Sequence, residues 1–198
     1  MSLEVLVVAT GVANTASVLA AWRRVGASPR LGGDPHEVEV ADHVELPGVG
    51  SFGAAMERLR ASGLADAVAA RVRAGRPTLA VCVGLQVLAG ASEESPGVPG
   101  LGVVPGMVLR FPATVRVPQF GWNAVRAAPA GGFVRDGHAY FANSYRLAEA
   151  PAGWVAAMSD HGGPFVAAIE RGPVLACQFH PELSGAWGLA LLERWLAA

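Results

Sequence analysis

Residues 3–9 hold Leu3, Val5, Leu6, Val7 and Val8 in a nearly unbroken apolar run. A strand wet on one face alternates apolar with polar residues. A continuous run is instead the pattern of a strand covered on both faces. The run Thr78-Leu79-Ala80-Val81-Cys82 repeats it. Between them the period lengthens to that of a helix, first through Val18, Leu19, Trp22 and Val25, then through Met56, Leu59, Leu64, Val68 and Val72. Strand–helix–strand alternation over about the first 90 residues predicts an α/β fold, a mostly parallel central sheet flanked by helices.

Gly11 ends the first strand; GGDPHE at 32–37 reads as a polar loop leading to a short strand that closes at Leu46. Past about residue 100 the character changes. Short β-rich segments at 101–118, 122–127, 138–145, 153–158, 164–170 and 173–179 are split by Gly and Pro, as in antiparallel hairpins. A last helix from about Ala186 carries Trp187, Leu191, Leu192 and Trp195. With no repeat and no long linker, 198 residues predict one domain, ample for a sizeable core.

Composition removes several classes of function. A net charge of −1 gives no basic face for nucleic acid. All 15 basic residues are Arg, which excludes a Schiff-base or P-loop lysine. The longest apolar run, Leu79 to Ala91, falls short of the roughly 20 residues that span a bilayer. MSLEVLVVAT has no basic n-region, and two cysteines make no disulfide framework, so a cytoplasmic protein is expected. The scattered His36, His43, His138 and His161 show no metal-ligand spacing, and no cofactor is expected.

Cys82 falls where a buried strand becomes a helix, in Val81-Cys82-Val83-Gly84-Leu85-Gln86. Such a turn lifts a side chain above the sheet edge, as in a nucleophile elbow, and the helix N-terminus favours a thiolate. A buried core cysteine is the competing reading. A cysteine nucleophile needs a base, and the base an orienter. Gln178-Phe179-His180-Pro181-Glu182 supplies both; in an extended segment His180 and Glu182 share a face. Pro47-Gly48-Val49-Gly50 is a candidate source of oxyanion N–H donors, or an ordinary turn.

The ordered set LPGVGSFG, VCVGLQ, VPQFGWN, YFANSY and QFHPELSG resembles the class I (triad) glutamine amidotransferases, from Gly11 to about Gly185. Within them it is similar to the glutaminase subunits that serve imidazole glycerol phosphate synthases. The resemblance implies a flavodoxin-like sheet and a mechanism. Cys82 attacks the side-chain amide of L-glutamine; His180 acts as base and then as acid; Glu182 orients His180; a glutamyl thioester is hydrolysed to glutamate. It also implies an oxyanion hole from the amides of Val83 and Val49, the latter after a peptide flip. Glutamine would be held around Gly50, Gln86, Ser144 and Tyr145. Ammonia would pass to a (β/α)₈ cyclase partner in a heterodimer, making imidazole glycerol phosphate and aminoimidazole carboxamide ribonucleotide. Asn14, Gln119, Trp122 and Asn123 would face that partner. Two places depart from the family pattern: Ala9-Thr10-Gly11 stands for Asp-Tyr-Gly, and Leu183 for the lysine after His-Pro-Glu.

Two further readings share this sequence: a glutaminase serving a different synthase, and a non-catalytic triad-fold binding protein. Elsewhere, Cys177 reads as a core thiol, Arg71, Arg73 and Arg76 as a solvated helix face, and Glu93 and Glu94 as a polar loop without function.

Overall fold

The computed structural model describes residues 2–9 and 15–198. Asn14 and the Thr10–Gly11 departure lie outside them. The first half alternates as the apolar runs require: β1 (Glu4–Val8), α1 (Thr15–Arg24), β2 (Ser28–Gly32), α2 (Pro35–Val40), β3 (His43–Leu46), α3 (Phe52–Ala61), α4 (Leu64–Arg73), β4 (Thr78–Val81) and α5 (Val83–Leu88). The second half is mostly strand: β5 (Ala91–Ser92), β6 (Met107–Arg110), β7 (Gln119–Val125), β8 (Gly137–Asn143), β9 (Tyr145–Leu147), β10 (Val155–Asp160), β11 (Pro164–Arg171) and β12 (Val174–Cys177). A 3₁₀ turn, Pro181–Leu183, and α6 (Gly185–Leu196) follow.

Seven strands form the central sheet in the order β10-β11-β12-β4-β3-β1-β2. β2, β1, β3, β4 and β12 are parallel, while β11 and β10 continue antiparallel. β6 and β9, and separately β7 and β8, pair antiparallel outside it. The first crossover runs from β1 to β2 and the later ones in the opposite direction. Right-handed connections therefore place α1 on one face and α2 to α5 on the other. Packing agrees: α1 lies against α6, with Trp22 and Trp195 ring centroids 5.6 Å apart, and α2 lies against α4. Among the described residues, no helix is long and apolar enough to cross a membrane.

Four local expectations are corrected. Of residues 32–37 only Gly33 and Asp34 form a connection; Gly32 ends β2 and Pro35 begins α2, where the Asp34 carboxylate accepts from the N–H groups of His36 and Glu37. That is helix-start chemistry, and it outweighs the polar composition. The helical period from Met56 to Val72 is two helices, broken at Gly63, whose φ of 72° is left-handed. Of 101–118 only β6 is strand; Pro105, Pro112 and Pro118 have no N–H to give a ladder. Arg71 is 2% exposed rather than solvated. Its guanidinium donates to the carbonyls of Val38, Ala41, Asp42 and Pro77 and to Thr78 Oγ1. Carbonyls left open at the end of α2 recruit it inward.

Candidate active site

The carboxyl ends of β4 and β12 lie side by side, with Val81 opposite Cys177 in the parallel register. Cys82 follows β4 directly at φ 55° and ψ −109°, a region L-residues rarely occupy, at a cost of order 1–3 kcal/mol. The surroundings enforce it. Its N–H donates to the Cys177 carbonyl at 2.7 Å, and its carbonyl accepts from Gln86 N–H at 3.2 Å. A Cβ on Gly84 would stand 2.3 Å from the Leu46 carbonyl oxygen, and one on Gly48 2.5 Å from Gly84 N. Two backbones touch here, so both positions demand glycine. The contact presses α5 against the end of β3 and turns the Cys82 side chain into a cavity.

His180 lies three residues past β12. Its N–H donates to the Tyr140 carbonyl at 2.9 Å; Ser184 Oγ donates to the His180 carbonyl at 2.6 Å and accepts from Tyr140 N–H at 3.0 Å. Phe179, fully buried, packs edge-on against Phe141 and Trp187. His180 Nδ1 and Glu182 Oε1 are 2.8 Å apart, both side chains buried. The pair forms through the 3₁₀ turn at Pro181–Leu183 rather than through the extended segment expected from the sequence. Burial alone would lower the His180 pKa; hydrogen bonds and negative charge from Cys82 and Glu182 outweigh it and push it up to about 10. The setting therefore favours the protonated imidazole beside the sulfur.

Behind the pair is a carboxyl group to which the sequence reading assigned no place. Glu45, on β3, is 3% exposed and accepts a short hydrogen bond from the Trp22 indole N–H. Burial and then the charge of Glu182 push its pKa up to about 8, against the opposing pull of Trp22 and His180. Glu45 accordingly holds a proton at neutral pH.

The cavity over Cys82, about 230 Å³, is of amino-acid size. Val49, Gly50, Cys82, Val83, Gln86, Ser144, Tyr145 and His180 line it, all singled out from sequence, together with Glu94, Ala142 and Asn143. Glu94 was read as a functionless loop residue. Instead its carboxylate accepts from Phe52 N–H at 2.6 Å and borders the cavity, a place no local pattern announces. Val83 N–H does not face the cavity unengaged: it donates to the Gly48 carbonyl at 3.4 Å. A trans peptide sends its C=O and N–H in opposite directions, so Val49 N–H points away from Val83.

Of the residues expected to face a partner, Gln119, Trp122 and Asn123 lie on β7 and diverge, while Asn14 lies outside the described residues. Trp122 is 58% exposed and Phe120 74%, each edge-on to Tyr140. Asn123 donates to the Asp160 carbonyl, and Gln119 is buried with neither end of its amide engaged. Leu183 is 40% exposed.

Comparison with known proteins places this geometry. The glutamine amidotransferase class-I family pattern matches residues 35–197. The imidazole glycerol phosphate synthase subunit HisH of Deinococcus radiodurans is 43% identical, covering 97% of this chain and 92% of that protein. The chloroplastic imidazole glycerol phosphate synthase hisHF of Arabidopsis thaliana is 40% identical over 94% of this chain but only 33% of its own length. A crystal structure of a glutamine amidotransferase superposes with a TM-score of 0.78 at 24% identity, covering 98% of this chain and 97% of that one, and supports the fold. The chain belongs to the class-I glutamine amidotransferase family and, within it, to the HisH subunits of imidazole glycerol phosphate synthase.

Proposed function

We propose that residues 1–198 form one glutaminase domain that hydrolyses L-glutamine through Cys82, His180 and Glu182 and passes ammonia to a cyclase partner in histidine biosynthesis. The observation that carries the reading is Cys82, held at positive φ beneath an amino-acid-sized cavity, beside a histidine fixed 2.8 Å from a buried carboxylate. The thiolate adds to the glutamine side-chain carbonyl. His180 gives its proton to the departing nitrogen, ammonia leaves, and a thioester remains. Water then adds as neutral His180 takes its proton. Glutamate departs, restoring thiolate and imidazolium. Glu182 keeps the imidazole oriented throughout.

Val83 and Val49 amides stabilise the oxyanion once the Gly48–Val49 peptide turns over, which frees Val83 N–H from the Gly48 carbonyl. The bond at 3.4 Å supports a resting site that is not yet assembled. Gly50, Gln86, Ser144 and Tyr145 hold the substrate, and the Glu94 carboxylate suits its α-ammonium group. Asn14, Gln119, Trp122 and Asn123 face the (β/α)₈ partner in a cytoplasmic heterodimer. The exposed Phe120–Trp122 face supports this, as does an Arabidopsis relative about three times as long as the matched region.

The test is glutamate release by the chain alone, and with a cyclase subunit and its ribonucleotide substrate. Low activity alone, a large rise in the complex and none in Cys82→Ala are expected. Full activity in Cys82→Ala would overturn the reading.

A further inference from the structure

Gln178 takes no part in the steps above, yet it touches the sulfur. It is wholly buried one residue past β12 and alternates with His180, so both side chains leave the chain on the same side. Its backbone N–H is spent on the Ala167 carbonyl at 2.8 Å. Its side-chain Nε2 donates to Cys82 Sγ at 3.7 Å, a hydrogen-bond distance for sulfur. Two further contacts set the direction of that amide. Gln86 Nε2 is identified as nitrogen by the Tyr145 carbonyl it donates to at 3.1 Å, and the same nitrogen donates to Gln178 Oε1 at 3.0 Å. With its oxygen held by Gln86, Gln178 can offer the sulfur only N–H.

We propose that Gln178 is a catalytic residue of this site, donating a hydrogen bond to the Cys82 sulfur that stabilises the thiolate and holds it opposite His180. A thiolate accepts such a bond strongly and a thioester sulfur weakly. The bond therefore favours the resting nucleophile and the leaving thiolate of hydrolysis over the acylated enzyme. Gln178 and Gln86 together tie the sulfur to the Tyr145 backbone, where the substrate is held. The proposal rests on Cys82 being the nucleophile of the glutaminase reading.

The test is Gln178→Met in the full chain. Methionine keeps length and apolar volume but has no donor. Alkylation of Cys82 by iodoacetamide, read on the Cys82 peptide by mass spectrometry, is expected to slow about 10- to 100-fold near neutral pH, with its pH profile displaced to the alkaline side. In the complex with partner, kcat falls by a similar factor while KM for glutamine changes little. An unchanged alkylation rate and profile overturns the proposal, whatever kcat does, because a packing role moves neither. Gln178→Asn, which keeps the amide but withdraws it by one methylene, gives the same direction if the methionine variant folds poorly. Alkylation needs neither glutamine nor partner, so its outcome stands apart from that of Cys82→Ala.

Discussion

Two turns at neighbouring strand ends build this site, and they are built differently. After β4 the chain is held by close backbone contact: Gly48, Gly84 and the Leu46 carbonyl leave no space for a side chain, and Cys82 takes a strained conformation. After β12 there is no strained residue. His180 is held through bonds to Tyr140 and Ser184 and by the aromatic packing of Phe179. In the proposed reaction, steric enforcement suits a nucleophile that must be presented at one angle, and a hydrogen-bonded frame suits an acid–base group that changes charge in each half of the cycle. Tyr140 also lies edge-on to the exposed Phe120 and Trp122, so only the second turn reaches the outer surface of β7.

The comparison predicts different failures on the two sides. Glu182→Gln leaves the backbone of both turns intact and removes the charge that orients His180; a loss of roughly 10²- to 10⁴-fold in kcat is expected in a protein that still folds by circular dichroism. Gly84→Ala forces two backbones apart at the first turn. We expect a loss of about 3 kcal/mol by denaturant titration, together with most of the activity; a variant of wild-type stability would show the contact to be soft. Ser184→Ala withdraws the hydroxyl bridging His180 and Tyr140, and should cost about 1–3 kcal/mol and a smaller share of kcat than Glu182→Gln.

A further prediction concerns pH. Burial raises the Glu45 pKa to about 8 from 4.5. Glu45 therefore retains a proton in the fold that the unfolded chain releases, so its contribution to stability falls as pH rises and is lost between about 4.5 and 8. Thermal melting should drop as pH rises through that range, and Glu45→Gln should flatten the slope. An equal slope in wild type and Glu45→Gln would place the carboxyl in a wetter setting than its burial implies.

Much of this architecture is legible in periodicity. The two apolar runs became β1 and β4, and the strand-to-helix change at Cys82 is where the structure places the elbow. Where local reading failed, the deciding groups were distant. Arg71 looked solvated because a run of Arg at a helix end usually is; open carbonyls at the end of α2, about 30 residues earlier, draw it inside. Glu94 does lie in a loop, as read, but was given no role because nothing near it in the chain shows that the start of α3 and the cavity wall meet there. Asp34-Pro35 is a different case, a local start signal overlooked for its polar surroundings.

By itself, then, the sequence determined which segments must be covered on both faces, which turns need glycine, and which cysteine and histidine end adjacent strands. These follow from side-chain period and backbone sterics, which act over a few residues. Only the tertiary structure decided the direction of the Gln178 amide, the proton on Glu45, the Gly48 carbonyl on Val83 N–H and the burial of Arg71. Each depends on desolvation and on partners many residues away, and those exist only once the sheet has brought the strand ends together.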